Sequence, residues 1–433
     1  MPVRLPFLDV DPPFLGGRTM IMRTKFKMGG VMRAESARTF ALLLGAFALM
    51  SAASAEAKGF QELYQFGGDG DGDVSTDRLL IDASGNLYGV TASNDTVLGT
   101  VFKFSPGGTE TVLHAFEYTT FIASRPVGGV VMDSDGNLFG EARFGGRLEC
   151  PDIDPINPDC GSVYRLAPDG TITTLHSFES TDGAAPSGGL TMDAQDNLYG
   201  TAIMGGSGDF CSGGCGTVFK IAPDGETTVV YNFVGKSDGA KPNGGLAIDS
   251  AGNLYGATLL GGSGHGTLFK IAPDGTETQL YAFNGSDGNQ PSGGLVRDTA
   301  GNLYGTTATG GSGAGSYGEV YKLAVNGTLT VLHTFSNTGG DGIYPTGYLA
   351  LDKKGNLYGT TAQGGKGCRS YGCGTVFKVA ADGTYSQFAK FKGNAAHNPF
   401  AGIIVDSRGN LFGSALGSYS GKDHLGILYE IKK

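Results

Sequence analysis

The sequence predicts an all-β protein: a seven-bladed β-propeller of four-stranded antiparallel blades, closed by the N-terminal strand, which completes the last blade. Three observations support this prediction. The tetrapeptide N-L-[YF]-G occurs seven times, strand-length apolar segments accompany each copy, and the last copy lacks its fourth segment. Repeats of about 50 residues indicate stacked supersecondary units, and four strands in each repeat are typical of a propeller blade.

The tetrapeptide sets the predicted number of blades at seven. Its copies begin 49 to 60 residues apart, at Asn86, Asn137, Asn197, Asn253, Asn302, Asn356 and Asn410. Glycine makes up 76 of the 433 residues, and it recurs at fixed offsets around these copies. Its abundance therefore indicates turns between strands rather than low complexity.

Residues 244–283 show one blade in full. They contain four predicted strands, GGLAID, NLYGAT, GTLFKIA and TETQLYAF, and the turns D-S-A-G-N and A-P-D-G-T join the first pair and the second pair. Asp, Asn and Gly in such turns cap the backbone and adopt positive φ. The Asp that opens the first turn recurs as Asp82, Asp133, Asp193, Asp249, Asp298, Asp352 and Asp406. Seven equivalent carboxylates favour turn capping over catalysis.

The two ends of the repeat region predict how the ring closes. The seventh copy stops after its third strand, GILYEIKK, whereas the stretch GFQELYQF at residues 59–66 matches the fourth strands TVLHAF and QLYAF. A fourth strand supplied by the N-terminus would close the ring and leave no open sheet edge at the join.

Residues 1–57 are predicted to be an N-terminal extension with a cleaved signal peptide, and residues 58–433 to be the propeller. Two arginines precede an apolar run at 40–50, and the small-residue stretch that follows permits cleavage after Ala55 or Ala57. The apolar run is too short for a permanent membrane helix. We therefore expect a secreted or periplasmic protein with no membrane insertion.

The charge of the chain excludes two classes of partner. Residues 58–433 carry 24 basic and 37 acidic side chains, a net charge of −13. Proteins that bind nucleic acid or anionic membranes present clustered positive charge. We expect neither of these partners, and we expect a monomer that engages a glycan or an extracellular protein.

The repeat also resembles a known family. The units S-D-G-x-x-P-x-G-G-L-x-x-D-x-x-G-N-L-Y-G-T-T and G-T-V-F-K-[LI]-A-P-D-G-T resemble the GloVer tandem repeat of exported bacterial "choice-of-anchor" proteins, over about residues 59–433. The resemblance implies export and a bacterial source, and it brings no established activity and no catalytic residues. Family members often end in a sorting anchor, whereas this sequence ends in a charged strand.

The loops of the predicted propeller divide between two faces. The D-x-x-G-N and P-D-G turns form one face, here called the turn face, and their lengths hardly change between copies. Loops between the second and third strands, and loops between blades, form the other face, here called the variable face. Binding residues concentrate in loops of varying length, so the variable face and its central mouth are the predicted binding surface.

Candidate binding residues are those that break the repeat on the variable face. They are Glu141, Arg143, Arg147, His265, His397, Asp423 and His424, and Arg78, Arg125 and Lys241 stand near interblade loops. A histidine close to a carboxylate can perform general acid–base catalysis, but a surface histidine outside a motif is usually inert. A different set, His114, His176 and His333, shares a fourth-strand position with Tyr64, Tyr231 and Tyr281. That exchange indicates a packing position with a polar tip.

Six cysteines form three local pairs in the loops between second and third strands. The pairs are Cys150 with Cys160, Cys211 with Cys215, and Cys368 with Cys373. An even number, local pairing and a predicted export signal favour disulfides that staple these loops. Zinc is the alternative, but a ring keeps blades 2, 3 and 6 apart.

One acidic stretch is the only candidate cofactor site. Its members are Asp69, Asp71, Asp73 and Asp77, spaced like the first ligands of a calcium loop. Val74 and Leu80 stand where such a loop has its glycine and its bidentate glutamate. We therefore favour a solvated acidic interblade loop over a calcium site, and we predict no other cofactor.

Two functions of different kinds fit this sequence. The first is an extracytoplasmic binding or scaffold module for a glycan or a protein, favoured by nearly uniform repeats without a converging catalytic set. The alternative is an extracytoplasmic propeller enzyme, a lactonase, lyase or glycan hydrolase, with its site at the mouth of the variable face. A structural protein of the cell envelope is a third reading, and the fold alone does not choose among them.

Overall fold

The structure, a computed structural model, describes residues 59–67, 70–73, 78–91, 97–117, 123–146, 159–208, 210–312, 317–338, 340–365, 373–391, 396–420 and 423–433. All regular secondary structure in these ranges is β-strand, and the strands form the seven blades of a propeller. In this part of the chain there is no helix with the length and hydropathy needed to cross a membrane.

The first described strand, β1 (Phe60–Gln65), belongs to the last blade, and blades 1 to 4 follow it. Blade 1 contains β2 (Leu80–Ile81), β3 (Leu87–Thr91), β4 (Thr100–Phe104) and β5 (Glu110–Ala115). Blade 2 contains β6 (Ser124–Met132), β7 (Leu138–Phe144), β8 (Ser162–Leu166) and β9 (Ile172–Ser177). Blade 3 contains β10 (Ala184–Pro186), β11 (Thr191–Met192), β12 (Leu198–Met204), β13 (Thr217–Ile221) and β14 (Thr227–Asn232). Blade 4 contains β15 (Ala240–Pro242), β16 (Ala247–Ile248), β17 (Leu254–Leu260), β18 (Thr267–Ile271) and β19 (Glu277–Ala282).

Blades 5 to 7 repeat the same antiparallel order. Blade 5 contains β20 (Asn289–Arg297), β21 (Leu303–Thr309), β22 (Glu319–Leu323) and β23 (Leu329–Thr334). Blade 6 contains β24 (Gly342–Ile343), β25 (Ala350–Leu351), β26 (Leu357–Thr361), β27 (Gln363–Gly364), β28 (Thr375–Val379) and β29 (Tyr385–Lys390). Blade 7 contains β30 (Ala396–His397), β31 (Ile404–Val405), β32 (Leu411–Ser420) and β33 (Asp423–Ile431), with β1 as its outer strand.

The predicted closure of the ring is confirmed. Strand β1 pairs antiparallel with β33, so that Phe60 lies opposite Ile431 and Gln65 opposite Ile427. The ring of Phe60 also stacks on Tyr429, with centroids 5.6 Å apart. Hydrogen bonds and apolar packing therefore join the first and last strands of the propeller into one sheet.

The core lies between blades and is built from one repeated aromatic pair. The Phe that ends each outer strand packs edge-to-face on the third-strand aromatic of the next blade, at 5.0 Å for Phe66 and Phe102 and 5.1 Å for Phe233 and Phe269. Such pairs add about 0.5–1.5 kcal/mol each beyond their buried area. A Cβ on the glycine of N-L-[YF]-G, for example Gly256, would lie 2.4 Å from the tip of the third-strand ring. The glycine of the repeat is therefore required by close packing.

The turn-face hairpins are capped by the predicted aspartates. In blade 4, Asp249 Oδ1 accepts hydrogen bonds from the backbone amides of Ala251 and Asn253, each at 3.0 Å, and the Tyr255 hydroxyl donates to Oδ2 at 3.0 Å. The bond from the Asn amide to the Asp carboxylate recurs in all seven blades. Burial opposes ionisation of Asp249, but these bonds bring its pKa below the usual value. The carboxylates therefore serve as caps.

Candidate functional site

Fourth-strand histidines and tyrosines hold the interblade loops of the variable face. His333 Nε2 lies 3.0 Å from Asp341 Oδ2, and the Tyr231 hydroxyl donates to Asp238 at 3.2 Å. The equivalent pairs are His176 with Asp182, Tyr64 with Asp71, and Tyr281 with Asp287. The position is thus a packing position with a polar tip, as the sequence predicts, and its partner is an aspartate of the neighbouring loop.

Two glutamates that sequence reasoning missed share this environment. Glu110 and Glu277 begin the fourth strands of blades 1 and 4, where the other blades have Ile, Thr, Leu, Tyr or Phe. Burial first, and then the nearby carboxylate of Asp71 or Asp238, raises the pKa of each glutamate to about 7. Because both lie between blades, their titration acts on stability.

Six interblade loops place a non-glycine residue in the left-handed region directly before a proline. These residues, here called the pre-proline ring, are Arg125, Ala185, Lys241, Gln290, Tyr344 and Asn398, with φ between 48° and 58°. Each backbone amide donates to a carbonyl of the preceding blade, as Lys241 does to Cys215 at 2.8 Å. The conformation costs on the order of 1–3 kcal/mol per residue, so the contacts between blades must hold it. The backbone is constant while the side chain differs from blade to blade.

At the centre of the ring, two blades carry a large side chain where the other five have glycine. The second glycine of the G-G pair is present in five blades, as Gly129, Gly189, Gly245, Gly294 and Gly402, and blades 1 and 6 have Arg78 and Tyr348 instead. The Tyr348 hydroxyl bonds to the Gly188 carbonyl and accepts from the Gly245 amide at 2.6 Å, so it reaches blades 3 and 4 from blade 6. The Arg78 guanidinium lies 5.8 Å from the Tyr348 ring centroid. Five glycines therefore leave the space that one tyrosine occupies.

Above Tyr348, the variable face contains an axial pocket of about 140 Å³. Its walls include Ser187, Asn243, Thr346 and Phe400, each of which follows the proline of its interblade loop. Ser187 Oγ and Thr346 Oγ1 are buried and have no hydrogen-bond partner among the described residues. A buried hydroxyl group without a hydrogen-bond partner destabilises the fold unless a ligand or a water molecule supplies the missing hydrogen bond. In the sequence, this pocket is indicated only by the residue between the proline and the G-G pair, whose identity differs from blade to blade.

Glu141 is buried inside the ring and does not lie on the open variable face. It takes the place of the second-strand threonines Thr201 and Thr360, whose hydroxyls donate to carbonyls of the next blade. Glu141 Oε2 accepts a hydrogen bond from the Gly189 amide at 2.8 Å instead. The peptide between Gly188 and Gly189 is thus held by Tyr348 on its carbonyl and by Glu141 on its amide.

The other candidate residues are spread around the variable face. The exposed Arg143 lies 5.9 Å from the centroid of Phe144, and Arg125 lies 5.4 Å from the same ring. His265 Nδ1 is 3.0 Å from Asn289 Oδ1. The remaining candidates are His397 in β30, Asp423 and His424 in β33, and Arg147, which lies outside the described residues. Glu141, Arg143, His265 and His397 are not among the residues that line the axial pocket.

The predicted disulfide between Cys211 and Cys215 is confirmed, with an S–S distance of 2.09 Å. Cys160 and Cys373 are also disulfide-bonded, while their predicted partners, Cys150 and Cys368, lie outside the described residues. The backbone carbonyls of Cys160, Cys215 and Cys373 accept the amide bonds from the pre-proline ring. Each of these cysteines therefore anchors its loop at a contact between two blades.

The acidic stretch of the predicted calcium loop is only partly described. Asp71 is buried, and its carboxylate accepts hydrogen bonds from the Tyr64 hydroxyl at 2.9 Å and the Gly67 amide at 3.2 Å. It is thus the interblade aspartate of blade 1, whereas Asp69 and Asp77 lie outside the described residues. The carbonyl of Asp73 accepts the Gly426 amide at 2.8 Å. Within the described ranges, no group of three or more His, Cys, Asp or Glu is arranged to hold a metal ion.

Several solved structures are similar to this chain. The extracellular domain of a one-component system from B. thetaiotaomicron is 13% identical with a TM-score of 0.51, over 86% of this chain and 40% of that chain. A gluconolactonase from Xanthomonas campestris is 17% identical with a TM-score of 0.40, over 71% and 84% of the two chains. A luciferin-regenerating enzyme is 14% identical with a TM-score of 0.43, over 84% and 92%. At such identities the first similarity supports the fold alone.

The sequence itself identifies the family. No curated protein sequence matches the chain. The sequence model of the Gloeobacter/Verrucomicrobia repeat, however, matches residues 154–315 and again residues 263–433. Because these two matches together cover more than half of the chain, the protein belongs to the Gloeobacter/Verrucomicrobia repeat family.

Proposed function

We propose that this protein is an extracytoplasmic binding module that recognises a glycan at the axial pocket of its variable face. The observation that carries the proposal is the pair of buried hydroxyls without partners, Ser187 Oγ and Thr346 Oγ1, in the wall of that pocket. A sugar presents several hydroxyl groups, and each can both donate and accept a hydrogen bond.

The rest of the pocket supports the same ligand class. The Asn243 side chain offers both a donor and an acceptor, and the Phe400 ring offers an apolar surface for the C–H face of a sugar. Tyr348, fixed by its bonds to blades 3 and 4, forms a rigid floor. A volume of about 140 Å³ is small for a ligand pocket, so we propose that it takes one terminal sugar while the rest of the glycan lies across the pre-proline ring.

Two features support a location outside the cytoplasm. Disulfides are rare in reducing compartments, and this chain contains the bond between Cys211 and Cys215. The predicted signal peptide at residues 1–57 agrees with that location.

The pocket lining also favours binding over the alternative of a lactonase, lyase or glycan hydrolase. General acid–base catalysis needs a titratable side chain within hydrogen-bonding reach of the reacting atoms. The described residues that line the pocket include no His, Asp or Glu, and the hydroxyl of the lining Tyr348 is bonded to the backbone of blades 3 and 4. Glu141, a carboxylate that breaks the repeat, bonds to a backbone amide inside the ring.

A glycan array followed by calorimetry tests the proposal. The variants Ser187→Ala and Thr346→Val each remove one hydroxyl, and we expect each to weaken binding of the selected glycan about five- to tenfold, as for one lost hydrogen bond of about 1 kcal/mol. Ser180→Ala is the matched control, because Ser180 is an exposed serine on an interblade loop of the same face. Equal affinities of the Ser187 and Ser180 variants, or an array without any bound glycan, would contradict the proposal.

A further inference from the structure

In six of the seven blades a cation lies opposite the second-strand aromatic residue on the turn face, and in five of these blades that residue is a tyrosine bonded to the capping aspartate. In blade 1, the Tyr88 hydroxyl donates to Asp82 Oδ2 at 3.2 Å, and Lys103 Nζ lies 5.6 Å from the centroid of the Tyr88 ring. The cation is the fourth residue of each third strand, namely Lys103, Arg165, Lys220, Lys270, Lys322 and Lys378. Each of these corners therefore combines one carboxylate with one cation.

Blade 7 reverses the charge of this corner. Glu430 replaces the lysine, and Phe412, like Phe139 of blade 2, lacks the tyrosine hydroxyl, so among the described residues Asn410 is the only side chain that donates to Asp406 Oδ2, at 3.0 Å. Glu430 is only 9% exposed, and no described residue donates a hydrogen bond to its carboxylate. Its ion pair is with Lys432, whose Nζ lies 3.6 Å from Oε2 on a side chain that is 57% exposed. Such an exposed pair contributes little to stability, so the corner combines two carboxylates with a counter-charge that is held only weakly.

The same two replacements line a groove between blades 7 and 1 on the turn face. This groove has a volume of about 720 Å³, whereas the equivalent groove between blades 1 and 2, lined by Tyr88 and Lys103, has about 330 Å³. Apolar side chains line the larger groove, namely Leu63, Ile81, Leu87, Phe104, Val405 and Phe412. Arg408 and Lys432 lie at it as well, and no hydrogen bond joins either of them to Asp406 or Glu430 through its side chain.

We propose that this groove binds a lysine side chain of a partner protein, presented on an extended peptide segment. The aliphatic stem packs on Phe412, and the ammonium group lies between the carboxylates of Glu430 and Asp406. The propeller itself supplies the reason, because an ammonium on an aliphatic stem occupies this corner in blades 1, 3, 4, 5 and 6. Burying the Glu430 carboxylate is favourable only when a cation accompanies it. This site lies on the turn face and is independent of the axial pocket.

Fluorescence polarisation with a labelled hexapeptide of alternating leucine and lysine tests the site. The decisive variant combines Glu430→Lys with Phe412→Tyr, which rebuilds the corner of blades 1, 3, 4, 5 and 6. We expect it to weaken peptide binding about tenfold or more, because the cation is then supplied from within the chain. The same peptide with acetylated lysines, which keeps the stem and removes the charge, should weaken binding to the wild-type protein to a similar extent.

The matched control is Glu179→Lys, which makes the same change of charge at an exposed glutamate on the variable face. We expect its affinity for the peptide to stay within about twofold of wild type. The double variant should keep a urea midpoint at or above that of wild type, since it restores the repeat. An equal loss of affinity in the Glu179 variant, an unchanged affinity in the double variant, or no wild-type binding up to about 1 mM peptide would each overturn the inference.

Discussion

The paired carboxyls between blades make a pH-dependent stability that can be measured. Glu110 and Glu277 have pKa values raised from 4.5 to about 7, by burial and then by Asp71 and Asp238. Between these two pH values the native protein binds more protons than the unfolded chain, so the free energy of unfolding falls as pH rises. The contribution of these groups is complete below about pH 4.5 and is lost as pH rises through about 7.

The size of this effect follows from the pKa change. A rise from 4.5 to about 7 corresponds to roughly 3 kcal/mol for each glutamate at 1.36 kcal/mol per pKa unit. Both side chains keep partial contact with water, which screens the repulsion, so we expect about 1–2 kcal/mol for each. The two sites lie in blades 1 and 4 and share no partner, so their effects should add.

Urea unfolding at pH 5 and pH 8 tests this reasoning with the double variant Glu110→Gln and Glu277→Gln. At pH 8 the variant should be about 2–4 kcal/mol more stable than wild type, because the amides carry no charge beside Asp71 and Asp238. At pH 5 the difference should be small. His114, whose pKa burial lowers, contributes equally to both proteins and cancels in the comparison. Identical pH profiles for the two proteins would refute the assignment.

Three further predictions concern packing and covalent links. Tyr348→Phe leaves the Gly188 carbonyl and the Gly245 amide without their partner at the axis, so urea unfolding should show a loss of about 1–3 kcal/mol. Gly256→Ala brings a Cβ to 2.4 Å from the Phe269 ring and should cost about 1–3 kcal/mol, whereas Gly107→Ala, with its nearest atom at 3.7 Å, should be nearly neutral in the same assay. Replacing Cys211 and Cys215 together by serine should lower stability by about 2 kcal/mol, the value for a short closed loop, and an unchanged urea midpoint would show that the bond does not restrain the unfolded chain.

The repeated features of the fold could be predicted because equivalent residues of the seven copies occupy the same environment in each blade. The capping aspartates, the His or Tyr position and the join between β1 and β33 all follow from comparing copies within one chain. The N-L-[YF]-G glycine was read as part of a pattern, but its reason, the ring of a residue such as Phe269 above it, needed the register of the neighbouring strand. Repetition thus predicts where a residue lies in a blade.

Contacts that cross from blade to blade could not be predicted in the same way. Tyr348 stands in the sequence as one exception to a glycine, and only the geometry of the closed ring shows that its hydroxyl reaches blades 3 and 4. Glu141 was expected on the variable face, yet its second-strand position faces the next blade and buries the carboxylate. Glu430 stands in the sequence where the other blades have Lys or Arg, but only the structure shows that it lines the groove between blades 7 and 1. A residue that breaks the repeat is a candidate functional residue, but only the structure shows which neighbours its side chain contacts.

The pairing of β1 with β33 has a consequence for the order in which the molecule is made. Strand β1 can be paired only once β33, more than 360 residues further along the chain, is in place, and until then the ring stays open at blade 7. Closing a loop of this length lowers the entropy of the chain, and no local contact offsets that loss. Folds dominated by pairings between residues far apart in the sequence therefore form slowly. Open edges during this interval invite pairing with other chains. Pairing of the residues around Phe60 and Ile431 therefore removes an edge at which the partly folded protein could aggregate.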